Sequence, residues 1–167
     1  MTKALSIMAL TVTALFLAVW PLLPAVSAGS DRSELVGLPT PTPEKAVYSS
    51  YRGIAIGMKA DAVHEKLGAP TQKTKGGDYY SFSASETAQI SYESDQTVKS
   101  ISINYSGDLK IAPTAKEVVG SDVKKDSEGM INKTVRFPKD GYYVSYIRTS
   151  GGDAVVVITL QKIPVEQ

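Results

Sequence analysis

Ala62-Val63-His64-Glu65-Lys66-Leu67-Gly68 reappears farther along the chain as Thr114-Ala115-Lys116-Glu117-Val118-Val119-Gly120, and each copy precedes three strand-like runs. In the first copy Ala60, Val63 and Leu67 recur at spacings of three and four, which places them on one side of a short helix that Gly68 and Pro70 end. Such a helix is too short to be stable alone in water and has to lie on an apolar surface. That surface follows at once. Tyr80 and Phe82, then Ala88, Ile90 and Tyr92, then Ile101, Ile103 and Tyr105 alternate with polar residues, the period of three half-buried strands. Gly76-Gly77 and the polar stretches 83–87 and 94–96 are the turns between them.

The second copy repeats the order with other loop lengths. Pro113 precedes a helix that Gly120 closes, Val135 and Phe137 take the place of Tyr80 and Phe82, and Tyr142, Val144 and Tyr146 that of Ala88, Ile90 and Tyr92. Residues 154–160 are apolar at nearly every position, as in a strand central in a sheet or covered on both faces, and mark where two sheets would join. The pattern predicts an α+β fold of two tandem units, residues 47–107 and 108–167. Each unit is a short helix plus a three-stranded antiparallel sheet, with the helices packed on one sheet face.

Ahead of these units, Lys3 followed by the apolar residues 4–23 and the small-residue site Val26-Ser27-Ala28 reads as a signal peptide over residues 1–28. The rival reading is an uncleaved anchor, which Pro21 and Pro24 disfavour by interrupting the helix. The expectation is a protein that is secreted or held in the cell envelope after cleavage near Ala28. Residues 29–46, with Pro39-Thr40-Pro41-Thr42-Pro43 at their centre, form an extended linker because proline joins neither helix nor sheet interior.

There is no cysteine, which excludes disulfides, thiolate metal sites, a cysteine nucleophile and a lipid anchor on a mature N-terminal cysteine. The chain carries 18 basic and 17 acidic residues. Cleavage after Ala28 removes only Lys3 and leaves a formal charge of zero, which makes nucleic acid a poor partner. The expected state is a monomer with no cofactor and no metal, whose partner is a protein or a cell-envelope component.

No motif supplies a catalytic constellation. His64 is the single histidine, and its place on the helix is that of an exposed or flanking residue rather than of a base or ligand. Asp61 and Glu65 share a helix face, most simply a solvated one. The stretch 122–129 is rich in acids, but it misses the alternating ligands and central glycine of a calcium loop and holds two lysines. Residues pointing away from the expected core are mostly small and polar. Tyr79, Arg136 and Tyr143 stand out among them, and tyrosine and arginine are the types that dominate protein interfaces. Two readings of that face remain, a solvated surface or a contact surface carried by these three residues. A different class is a small-ligand-binding protein or a hydrolase whose carboxylates, from Glu86, Glu93, Asp95 and Asp108, converge only in the fold.

Gly53-Ile54-Ala55-Ile56-Gly57-Met58, then Val63, then Leu67-Gly68-Ala69-Pro70 and the pair Tyr79-Tyr80 resemble the SmpA/OmlA, or BamE-like, domain. The doubled arrangement is similar to the architecture of beta-lactamase inhibitory protein and to uncharacterised secreted proteins of Gram-positive bacteria. Lys59 stands where that pattern usually has a Ser or Thr helix cap, and the missing lipoprotein cysteine argues against an outer-membrane assembly role. The resemblance implies a non-catalytic binding or inhibitory module.

Overall fold

The computed structural model describes residues 46–164; residues 1–28, read as a signal peptide, and nearly all of 29–46, read as a linker, lie outside the described residues. The first helix, α1, spans Ala60–Leu67, with Val63 fully buried and Ala60 nearly so. Six strands follow the alternation in the sequence: β2 (Gly77–Ser83), β3 (Glu86–Tyr92), β4 (Val98–Ser106), β5 (Ile131–Phe137), β6 (Tyr142–Arg148) and β7 (Val155–Lys162). Ahead of β2 lies a three-residue strand, β1 (Gln72–Thr74), which the alternation does not show because all three residues are exposed. A short 3-10 helix, Leu109–Ile111, leads to the five-residue helix α2, Ala115–Val119.

The expectation of two tandem helix-plus-three-strand units is not met. All seven strands form one antiparallel sheet in the order β1-β2-β3-β4-β7-β6-β5, so the fold is dominated by a continuous sheet with two short helices. The cause is the pairing of β4 with β7 over seven consecutive positions, from Ser100 opposite Gln161 to Ser106 opposite Val155. Two separate sheets would each leave a long row of unpaired N–H and C=O groups at that edge; joining them satisfies both rows at once. A single buried cluster accordingly runs across the sheet from Ile54 through Ile103 and Ile158 to Phe137.

The sheet is one-sided. Tyr80, Ala88, Ile90, Ile101, Ile103, Tyr105, Val144, Tyr146, Val156, Ile158 and Leu160 point to the inner face, where the segment before α1 and both helices cover them. One tight spot fixes the turn into β2. Gly77 sits at φ +123, and a Cβ there would lie 2.0 Å from the Ile90 carbonyl oxygen, so only glycine lets β2 leave the turn in register with β3.

Candidate functional site

The outer face follows from the register, since residues directly opposite in neighbouring strands share a face. One row runs Gln72, Tyr79, Gln89, Ser102, Thr159, Ser145 and Thr134 across all seven strands. The next runs Ser91, Ser100, Gln161, Tyr143 and Arg136, and a third Ser81, Thr87, Asn104, Val157, Ile147 and Asn132. These rows contain no acidic residue, and Arg136 is their one charged side chain. The helices, by contrast, bury their side chains among the residues of the inner face.

All three residues singled out from the sequence lie on this outer face. Arg136 and Tyr143 are brought directly opposite each other in the β5–β6 ladder. Tyr79 is not brought to them: four strand spacings separate β2 from β6, about 20 Å at the usual interstrand distance. The three residues therefore mark the two ends of a strip of mainly hydroxyl and amide side chains. Thr134 and Ser145 are hydrogen-bonded across its β5–β6 end at 3.2 Å.

On the inner side two polar clusters carry the electrostatics. His64 on α1 meets Asp78 on β2, its Nε2 lying 2.6 Å from the carboxylate, and the Tyr92 hydroxyl donates to the same oxygen at 2.9 Å. Asp78 is the one buried charged residue among those described, at 5% exposure. Burial, with the hydrogen bond to Asp78 adding to it, pushes the Tyr92 hydroxyl well above the usual tyrosine range. A cleft of about 310 Å³ opens beside these groups, bounded by the turn 73–77. His64 is thus neither free nor merely flanking; it ties α1 to the sheet.

The second cluster surrounds Glu86. Arg52 donates to it at 2.7 Å, the Tyr51 hydroxyl donates at 2.8 Å, and the Arg52 guanidinium stacks 4.1 Å from the centre of the Phe82 ring. Burial pushes the Glu86 carboxyl up, but hydrogen bonds from Arg52, Tyr51 and Tyr105 together hold it below the usual carboxylate value. Burial above all, then the Glu86 charge, raises Tyr48 to about 12. Arg52 sits at φ +49, an uncommon backbone for a side chain of this size, in a turn closed by paired 2.8 Å bonds between Tyr51 and Ile54. Ion pair and ring stack hold it there.

The four carboxylates weighed as a converging acid and base are engaged separately. Glu86 is held by Arg52, Glu93 lies 3.6 Å from Lys162, Asp95 bonds Thr97 and Lys59 approaches it, and Asp108 caps the turn at Lys110. In the loop 122–129, Asp126 accepts from the backbone of Glu128 and Met130 as a turn former does, and among the described residues no cluster of three potential ligands is present.

Asp78 and Arg52 are the polar residues that the reading of the sequence missed. Asp78 had a signal: it lies two and four residues before Tyr80 and Phe82, in phase with the inward side of β2. Arg52 had none, because its partner Glu86 is far away in sequence. Compared with protein-family models, curated proteins and solved structures, the chain matches none of them.

Proposed function

We propose that this protein is a secreted, non-catalytic binding module, acting on a protein or cell-envelope component through the outer face of its sheet. The observation that carries the reading is the makeup of that face. Its rows hold one cation and no acid, with tyrosines at the two ends and the half-buried Val157 and Ile147 between them. Depletion of charge, with tyrosine and arginine as its large side chains, matches part of the compositional signal of an interface. The width suits the purpose. From Tyr79 to Arg136 is five strand spacings, about 24 Å, comparable with the span of a standard interface of about 800 Å² per partner.

The resemblance of residues 53–105 to the BamE-like domain supports the same reading, as does the separate engagement of the four candidate carboxylates. The test is affinity capture from extracellular and envelope fractions, alongside a variant with Tyr79, Arg136 and Tyr143 all changed to Ala. The expected result is a partner retained by the protein and lost by the variant, with unchanged thermal unfolding of the two. A partner captured equally by both would sink the outer-face assignment.

A further inference from the structure

On the inner face, at the end of the sheet beyond α2, the register lines up Tyr105, Val156, Arg148 and Ile131 across β4, β7, β6 and β5. Arg148 is in phase with the buried Tyr142, Val144 and Tyr146 and so projects from the core side of β6, between two aliphatic neighbours. It opens into the mouth of a cleft of about 530 Å³, roofed by the 3-10 helix and α2. Leu109, Ala112, Val123 and Val156 make the walls and floor, with Lys110 at the rim. The one acid at the cleft, Asp122, lies 3.4 Å from Lys116, which sits beside it. Among the described residues Arg148 has no carboxylate partner, and its positive charge works against the rise that burial causes at the Tyr146 hydroxyl.

We propose that this cleft binds a small anionic amphiphile, with a carboxylate head on Arg148 and an apolar body against Leu109, Ala112 and Val123. The volume lies within the range of small-molecule sites, which are mainly apolar with a few placed polar groups. Arg148 is exposed at the open end of the cleft, and a guanidinium there offers the planar donor fork that selects a carboxylate over a neutral head. The inference is independent of the outer-face reading, since the cleft lies on the opposite side of the sheet.

Titration calorimetry with octanoate, using octan-1-ol and octyltrimethylammonium as neutral and cationic comparisons, tests it. Octanoate should bind about tenfold or more tightly than octan-1-ol, from the charge-assisted hydrogen bonds alone, and the cationic amphiphile should give no binding. Arg148→Gln should remove that preference while leaving octan-1-ol within about twofold, given that its apolar contacts are unchanged. Val123→Trp, which fills the cleft and keeps Lys110, Lys116 and Arg148, should abolish binding of octanoate and octan-1-ol alike. Should Arg148→Gln fail to fold, the comparison of head groups on the unaltered protein still decides, together with amide shifts induced by octanoate at Ile131 and Val156. No octanoate binding, equal affinity for octanoate and octan-1-ol, or shifts confined to the outer face would each overturn the proposal.

Discussion

The region before Gly107 and the region after it secure their helices by opposite means. α1 begins at Lys59, which makes no side-chain cap, and is held from a distance: His64 reaches Asp78, and the Ala60 amide bonds the Gln96 carbonyl. α2 is shorter yet carries its own start and stop. Thr114 and Glu117 form a reciprocal capping box, and Gly120 ends the helix in the left-handed conformation that a side chain resists. Both helices bury apolar side chains against the sheet; what differs is their start, which in α1 relies on tertiary polar contacts and in α2 on neighbours in the chain. If so, polar contacts distant in sequence should matter most before Gly107 and local ones most after it.

The largest effect that could break this contrast is at Asp78. Replacing it with Ala takes the acceptor from the half-buried Tyr92 hydroxyl and frees His64, and the expected destabilisation is about 2 kcal/mol. Urea unfolding of Asp78→Ala measures it. A loss below about 1 kcal/mol, the value of an ordinary surface pair, would show that α1 is held by the packing of Val63 and not by its tether.

The Glu86 cluster gives the next effect, and pH is its probe. Because the folded carboxyl is held below its ordinary value, ionised Glu86 contributes stability that is fully present above the unfolded pKa, about 4.5, and is lost as pH falls through the folded value. Glu86→Gln should therefore lower stability at pH 7 and flatten the decline that begins as pH falls below about 4.5. Identical acid limbs for the two proteins, measured by unfolding at a series of pH values, would contradict the assignment of Arg52 and Glu86 as a working pair.

What could be read in the sequence follows the same division. The bounds of α1 and the phase of the six longer strands were legible because periods of 3.6 and 2 are local. The union of the strands into one sheet was legible only as a place, residues 154–160, where two sheets would join. It rests on β4 meeting β7, whose apolar run announced an inner strand without naming its neighbours. Likewise Tyr79, Arg136 and Tyr143 were assignable to one face by parity. Their separation into one pair and one distant residue depends on strand order, which no local pattern encodes.

The smallest effect sharpens the contrast because it can be made to run in both directions. Thr114→Ala removes the side chain that accepts from the Glu117 amide and leaves an unpaired donor in the first turn of α2, a loss of about 1 kcal/mol. Lys59→Ser installs at α1 the cap that α2 already has. Lys59 holds the extended backbone an N-cap requires, φ −71 and ψ 145, so serine needs no rearrangement to accept from the first turn. What is given up are the contacts of Lys59 with Asp95, an exposed 2.8 Å bond to its carbonyl and a 3.6 Å approach to its carboxylate with both side chains 62% exposed, together worth little in salt. The net expectation is a gain of about 0.5 kcal/mol, read as a small rise in the unfolding midpoint with no change in slope. If Lys59→Ser gains nothing while Thr114→Ala costs its full amount, α1 is already fixed by its tertiary anchors, and local and distant restraints in this fold substitute for one another instead of adding.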